Sequence, residues 1–139
     1  MLYLDTSAFL KVLVNEEHSK ALRLALRSAD VWSSTLLAVE AHRAALRLGI
    51  AASDVDVRLA AVTLIVPSET TFAAARSIGT IELRTLDALH LTAALELKSD
   101  LEAVVTYDRG LAAACERELL RVATPGLPSG WWHSGLRPR

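Results

Sequence analysis

Short apolar runs alternate along the chain with longer segments in which apolar side chains recur every three or four residues. The short runs predict strands at residues 2–4, 31–33, 64–66 and 102–107, with a last, edge strand at 120–122. The longer segments predict amphipathic helices, the clearest at about 36–48 and 86–98. No hairpin signal such as Asn-Gly joins the strands. The pattern therefore predicts an α/β fold, with a central, mainly parallel sheet of four to five strands and helices on both faces.

The length and the turn residues predict one domain followed by a tail. A chain of 139 residues can bury one substantial core but not two. From Thr124 onward, Pro125, Gly126, Pro128 and Gly130 interrupt any regular pattern. We therefore predict a domain over residues 1–123 and an irregular C-terminal tail over 124–139.

Composition narrows the possible functions. Fifteen basic and sixteen acidic residues give a net charge of −1, so a nucleic-acid role would need a local site, and we expect no direct DNA binding by this chain alone. No apolar run approaches the roughly 20 residues of a membrane helix, and the first residues lack the features of a signal peptide. We expect a cytoplasmic protein that does not bind membranes. Cys115, the single cysteine, excludes an internal disulfide and a Cys-rich zinc site, and we expect it in the core.

Two acidic residues lie on the apolar faces of predicted helices. Asp87 begins a stripe that continues through His90 and Leu91 at helical spacing, and Glu40 falls among the leucines and alanines of residues 36–48. A buried carboxylate must be neutral, paired, bound to a cation or at the mouth of a cavity. We therefore expect one of these forms of compensation at both Asp87 and Glu40.

Two further acids follow predicted strands directly. Asp5 comes after residues 2–4 and Asp108 after residues 102–107, and in open α/β sheets ligands bind beyond the carboxyl ends of the strands. Four carboxylates could thus share one cavity, although two of them 4 Å apart repel by roughly 4 kcal/mol at an effective dielectric of 20. A cation is implied, and oxygen ligands favour Mg²⁺ or Mn²⁺ over zinc. Such a site suits phosphodiester hydrolysis, with one ion or two.

The same residues carry a family resemblance. Asp5 in LYLDTSAFLKVL, Glu40 in SSTLLAVEAHRA, Asp87 in LRTLDALHLTAAL and Asp108 in VVTYDRGLAAA resemble, in order and spacing, the PIN-domain ribonucleases, specifically the VapC-type toxins of bacterial toxin–antitoxin pairs. The resemblance runs from Met1 to about Val122 and does not cover the tail.

The resemblance implies a PIN-like three-layer sandwich and an endoribonuclease that depends on Mg²⁺ or Mn²⁺. It also implies an RNA substrate, a homodimer, and a VapB-type antitoxin that wraps the toxin and blocks its site. By carry-over, the catalytic, metal-binding residues are Asp5, Glu40, Asp87 and Asp108. The hydroxyls of Thr6, Ser7 and Thr106 match positions that orient a ligand carboxylate or water.

Each acid alone also has a simpler explanation. Asp5 and Asp108 could cap helices, although Thr6 or Ser7 could equally cap the first one. Asp87 could be a first-turn acid favoured by the helix dipole, and Glu40 could pair with a neighbouring arginine, Arg43 or Arg47. We favour one shared cation site, because it explains all four acids at once and the simpler explanations need a separate cause for each.

Other polar side chains are ambiguous in sequence. His90 could be a general base, but we favour a histidine packed against the sheet and bonded to a neighbour. Arg43, Arg84 and Arg109 could contact RNA phosphates. The other histidines, His18, His42 and His133, are predicted to lie on the surface.

The tail contains Trp131 and Trp132, with Arg137 and Arg139 beyond them. These could stack on bases, but we favour docking of the tryptophans on the domain itself or on a partner.

Three other functions compete with hydrolysis. A catalytically silent PIN-fold binding module would use its acidic pocket to hold a basic side chain of a partner. A phosphotransfer or receiver domain needs a second acid close to Asp5, and Thr6-Ser7-Ala8 offers none. A dinucleotide-binding domain needs a glycine-rich loop, and none follows any strand.

Overall fold

The computed structural model describes residues 1–135, so Arg137 and Arg139 lie outside the described residues. The strands are β1 (Leu2–Leu4), β2 (Val31–Ser34), β3 (Thr63–Ile65), β4 (Ala103–Val105) and β5 (Val122–Ala123). The α-helices are α1 (Thr6–Leu13), α2 (Ser19–Leu26), α3 (Leu36–Leu48), α4 (Ala52–Leu59), α5 (Glu69–Ala75), α6 (Thr85–Glu96) and α7 (Arg109–Arg117), and a 3-10 helix spans Trp131–His133.

The five strands form one parallel sheet in the order β3-β2-β1-β4-β5. The central strand β1 pairs on one side with β2 and on the other with β4, so that Tyr3 lies opposite both Trp32 and Val104. The chain builds outward from β1 through β2 to β3, and then crosses back to place β4 on the other side of β1. This reversal between β1 and β4 is the position at which open α/β sheets bind ligands.

Both faces of the sheet are buried, which confirms the predicted sandwich. Alternate residues of a strand point to opposite faces: Leu4 and Val105 belong to the apolar core beneath α1–α4, whereas Tyr3 and Val104 belong to the core beneath α6 and α7. Strands buried on both faces appear in sequence as continuous apolar runs rather than alternating ones. Cys115 lies in the second core, as predicted.

Helix α6 differs from its prediction in being buried on nearly all sides. Eight consecutive residues, from Asp87 to Ala94, are buried, because α6 contacts the sheet at β2 and is flanked by α5 and α7. The predicted single apolar stripe is therefore wrong. The burial of Asp87 and His90 reflects a central helix rather than two isolated exceptions.

Two local predictions also change. Asp5, not Thr6 or Ser7, caps α1, and its Oδ1 accepts a hydrogen bond from the amide of Ala8 at 2.9 Å. The last strand begins at Val122 rather than at Leu120. The amide of Leu120 bonds back to the carbonyl of Cys115 and so completes the end of α7.

His18 is not a surface residue, contrary to its prediction. Only 13% of its side chain is exposed, and its ring stacks on Tyr107 with centroids 6.0 Å apart. The tail crosses over it at Gly126, where an added Cβ would lie 2.5 Å from His18 Nδ1 at a backbone φ of +95°. His42 is partly exposed and meets Asp56 at 2.9 Å.

The first part of the tail packs on the domain. Trp131 is 1% exposed and, with Trp132, forms a small apolar cluster against Ala112 of α7. The indole Nε1 of Trp131 donates to the hydroxyl of Thr124 at 2.8 Å, and that hydroxyl donates to the carbonyl of Thr106 at 2.9 Å. The boundary at residues 123 and 124 stays a prediction. Within residues 1–135, no helix has the length and apolarity needed to cross a membrane.

Candidate active site at the carboxyl edge of the sheet

Asp5 lies directly after β1 and is only 2% exposed. Its carboxylate accepts hydrogen bonds from Thr106 Oγ1 at 2.6 Å, from Ser7 Oγ at 2.7 Å and from the amide of Ala8 at 2.9 Å. The two hydroxyls are themselves fixed, because Ser7 Oγ accepts from the amide of Tyr107 at 2.8 Å and Thr106 Oγ1 accepts from that of Asp108 at 3.0 Å. Ser7 and Thr106 thus tie Asp5 to the end of β4.

Burial dominates the acidity of Asp5. Desolvation raises the pKa of this carboxyl to about 6, even though the hydrogen bonds from Thr106, Ala8 and Ser7 and the nearby His90 favour the ionised form. An ionised Asp5 therefore weakens the fold unless a cation compensates it.

We expect the metal-free protein to lose stability as pH rises from 4 to 6. The folded-state pKa of Asp5, about 6, lies above the ordinary value of 3.8, so the folded state holds the proton longer and ionisation favours unfolding. Two pKa units correspond to roughly 3 kcal/mol. Urea denaturation in EDTA should show this loss in the wild type and not in Asp5→Asn. Parallel pH profiles for the two proteins would contradict it.

Glu40 lies in the second turn of α3 and is bonded to a buried histidine. Glu40 Oε1 is 2.7 Å from His90 Nε2, and the hydroxyl of Tyr3 is 2.7 Å from His90 Nδ1. Burial raises the pKa of Tyr3, so its hydroxyl stays protonated. Tyr3 can then donate to Nδ1 while Nε2–H donates to the Glu40 carboxylate. His90, 1% exposed, is the packed histidine that the sequence interpretation favoured.

This bond keeps Glu40 ionised. Desolvation raises its pKa, but the interactions with His90, together with those of Thr6 and Arg84, outweigh that effect and hold the pKa below its usual range. Thr6 Oγ1 also lies 3.4 Å from His90 Nε2. Glu40 is bonded to His90 and not to Arg43 or Arg47, the partners that its simpler explanation predicted. Arg43, Arg47 and Thr6 line a groove beside Glu40.

Asp87 and Asp108 share one cation, Arg84. Arg84 Nε donates to Asp87 Oδ2 at 2.8 Å, and Nη2 donates to Asp108 Oδ2, also at 2.8 Å. Asp108 Oδ1 caps α7 through the amide of Leu111 at 2.8 Å. Burial raises the pKa of Asp87 despite the bond from Arg84, and the charge of Asp108 raises it further. The predicted caps are thus real, but two of the acids also need a positive partner.

Two of the four acids line a small opening at this edge. Glu40, Asp87 and Arg84 line a cavity of about 210 Å³ together with Thr85 and Leu86. Arg109 is the first residue of α7, and its guanidinium lies 5.9 Å from the centre of the Trp131 ring. Arg84 is bonded to Asp87 and Asp108, and phosphate contact by Arg43, Arg84 and Arg109 stays a prediction.

The carboxylates of the site are suitable ligands for a hard divalent cation, but three of them are already bonded to basic side chains of the protein. All four predicted ligands are carboxylates, the donors that Mg²⁺ and Mn²⁺ prefer. Within residues 1–135, however, no three His, Cys, Asp or Glu side chains are grouped closely enough to hold a metal ion. Glu40 is occupied by His90, and Asp87 and Asp108 by Arg84. The guanidinium of Arg84 is thus bonded to two of the carboxylates that are predicted to bind the metal.

Comparison with known proteins decides the family. The sequence profile of the PIN domain matches residues 2–117, a span that includes all four acids. The chain belongs to the PIN domain family. It is 36% identical over 133 residues to Ribonuclease VapC47 of Mycobacterium tuberculosis strain CDC 1551 / Oshkosh, covering 91% of this chain and 98% of that protein. It is 37% identical over 126 residues to Ribonuclease VapC46 of strain ATCC 25618 / H37Rv, covering 89% and 97%.

The PIN-domain site contains features that sequence reasoning missed. Tyr3 looks like an ordinary strand residue, and nothing in the sequence connects its hydroxyl to His90, 87 residues later. The pairing of Arg84 with Asp87 follows helical spacing and was open to prediction. Its second bond, to Asp108, requires the packing of α6 beside α7 and was not. The profile match ends before the tail, so the link from Trp131 to Thr106 also had no family signal.

Proposed function

We propose that this PIN-domain protein is a metal-dependent endoribonuclease and the toxin of a type II toxin–antitoxin pair. The observation that carries the proposal is the placement of the four acids around the sheet reversal, in a chain 36–37% identical to two proteins named ribonucleases. Asp5 and Asp108 follow the adjacent strands β1 and β4, and α3 and α6 supply Glu40 and Asp87.

Asp5, Glu40, Asp87 and Asp108 would hold the cation, Mg²⁺ or Mn²⁺, as one ion or two. When bound, the cation supplies Lewis acidity, which lowers the pKa of a water molecule and neutralises charge on the scissile phosphate. The hydrogen bonds to Asp5 from Ser7 and Thr106 fix its carboxylate in one orientation, so little reorganisation is needed on binding.

The remaining side chains have supporting roles in this proposal. His90, held by Tyr3, orients Glu40 and keeps it ionised, and is therefore a positioning residue rather than a general base. Thr6 lies beside the same pair. Arg43, Arg84 and Arg109 provide positive charge around the opening, suited to a polyanion.

Chelation should abolish RNA cleavage. Single-stranded RNA incubated with the protein and Mn²⁺ should be cut, and excess EDTA should lower the rate by roughly 10²-fold or more, because several kcal/mol of transition-state stabilisation is lost with the ion. Adding Mn²⁺ beyond the EDTA should restore cutting, which excludes irreversible damage. Undiminished cleavage in EDTA would refute metal dependence.

A second function, the catalytically silent binding module, is favoured by one observation. Asp87 and Asp108 already hold a guanidinium, that of Arg84, so the same acids could accept a basic side chain from a partner. Calorimetric titration with Mn²⁺ distinguishes the two, since a docking pocket needs no metal. The PIN endoribonuclease should bind Mn²⁺ and cut RNA, whereas the module should do neither.

We further propose a homodimer and a VapB-type antitoxin as partners, acting in the cytoplasm, where RNA is found. Large exposed apolar side chains, which often mark interaction surfaces, include Val39 and Leu46 of α3 and Phe72 of α5. A separate apolar cavity of about 450 Å³ between α1, α2 and α4 is bordered by Arg23, Arg27 and Arg58. Its charge suits an antitoxin segment with apolar and acidic residues. Light scattering of the free protein tests the dimer.

A further inference from the structure

Arg84 is a cation fixed within the acid cluster although its side chain is 73% exposed. The residue precedes α6 in extended backbone, at φ −67° and ψ 152°. From there its guanidinium bridges α6 and the start of α7, with one N–H on Asp87 and another on Asp108. A surface arginine thus connects two of the proposed metal ligands.

We propose that Arg84 is an intramolecular counter-cation: it holds Asp87 and Asp108 in the metal-free protein, competes with the divalent ion for them, and moves to an RNA phosphate once the ion is bound. The inference rests on the proposed function of the same site. In this inference Arg84 makes the binding of RNA depend on the prior binding of the metal ion.

The competition follows from which oxygens are used. Arg84 takes Oδ2 of both acids, and Oδ1 of Asp108 is already bonded to the amide of Leu111. The oxygen of Asp108 without a backbone hydrogen bond is therefore the one that carries the guanidinium. An ion placed there would also face an adjacent positive charge. Because the ion must displace Arg84, the free energy by which Arg84 stabilises the metal-free protein is subtracted from the free energy of metal binding.

The contact is built to be displaced. Arg84 is 73% exposed, so its guanidinium returns to water when it is released, and an incoming ion would replace its charge on Asp87, 11% exposed, and on Asp108, 27% exposed. The bond between His90 and Glu40 differs, since His90 is 1% exposed and is held on its other nitrogen by Tyr3. A divalent ion can thus remove Arg84 from the acids far more easily than it can move His90.

A displaced Arg84 remains at the opening. Its side chain lines the 210 Å³ cavity beside Glu40 and Thr85, and the planar guanidinium matches the oxygens of a phosphate group. RNA therefore offers Arg84 a new anionic partner at the moment when the ion takes the old ones. Metal loading should in this way increase the affinity for RNA.

Calorimetric titration of metal-free protein with Mn²⁺ tests the competition. Arg84→Met should bind Mn²⁺ roughly tenfold more tightly than the wild type, within the usual range of coupling between sites. Arg84→Lys keeps the charge but cannot bridge two acids in the same way, and should fall between them. Arg76→Met, an exposed arginine at the end of α5, is the matched control and should bind Mn²⁺ as the wild type does. If Arg84→Met does not fold, the lysine variant carries the test.

Cleavage kinetics at saturating Mn²⁺ test the transfer to RNA. Losing a charge-assisted bond to phosphate should raise the KM of Arg84→Met for RNA by about tenfold, with a smaller change in kcat. A variant with unchanged or weaker Mn²⁺ affinity overturns the competition, and an unchanged KM overturns the transfer. RNA cutting by the same wild-type sample would leave the proposed function intact in either case. A wild type that neither binds Mn²⁺ nor cuts RNA refutes both.

Discussion

Asp5→Asn should reduce RNA cleavage to below about one hundredth of the wild-type rate while leaving the protein folded. The amide keeps the size of the carboxylate but removes the charge that would hold the ion, which accounts for a loss of several kcal/mol in the transition state. Its oxygen can still accept from the amide of Ala8, and Ser7 and Thr106 can reorient their hydroxyls to accept from its NH₂ group.

The stability of this variant makes the result decisive. Because desolvation raises the pKa of Asp5 to about 6, the neutral amide avoids the cost of a buried charge, and Asp5→Asn should unfold later than the wild type in EDTA at pH 7. Asp54→Asn, an exposed acid in the first turn of α4, is the matched control and should retain full activity. A folded Asp5→Asn protein that cuts RNA normally would contradict the proposed role of Asp5.

Trp131→Ala should cost about 3–5 kcal/mol of unfolding free energy, the usual range for removing a large buried aromatic side chain. Trp131 is 1% exposed against Ala112, and it also donates the hydrogen bond to Thr124. Denaturant unfolding followed by far-UV circular dichroism measures the change.

A second variant separates packing from hydrogen bonding at this position. Trp131→Phe keeps much of the apolar contact and loses the Nε1–H donor, so it should cost less than the alanine variant. Leu24→Ala, at a side chain 64% exposed on α2, should change stability by less than about 0.5 kcal/mol. Equal stability of Trp131→Ala and the wild type would mean that the tail contributes nothing to the fold.

The sequence predicts the strands, their mainly parallel direction and the acids that follow them, because these follow from local patterns. Apolar runs identify buried strands, and an acid directly after such a run must lie at the carboxyl edge. Asp5 and Asp108 needed no tertiary information. Glu40 and Asp87 stood out because a carboxylate on an apolar face is costly.

What the sequence could not supply is the set of partners that these acids have. The bond from His90 to Glu40 joins α6 to α3, and the bond from Arg84 to Asp108 joins α6 to α7. Both depend on how helices pack, not on spacing along the chain. The burial of His18 was missed for the same reason, since its ring is covered by Tyr107 and by a tail whose path has no regular pattern.

The position of β1 at the centre of the sheet has a consequence for synthesis of the protein. The hydroxyl of Thr106 that holds Asp5 lies 101 residues further along the chain, and β4 can pair with β1 only after both have left the ribosome. During synthesis Asp5, Glu40 and Asp87 are therefore made before Thr106, which bonds Asp5, and before Asp108, the fourth proposed ligand. If the four acids act together as proposed, RNA cleavage requires a chain in which β4 has already paired with β1.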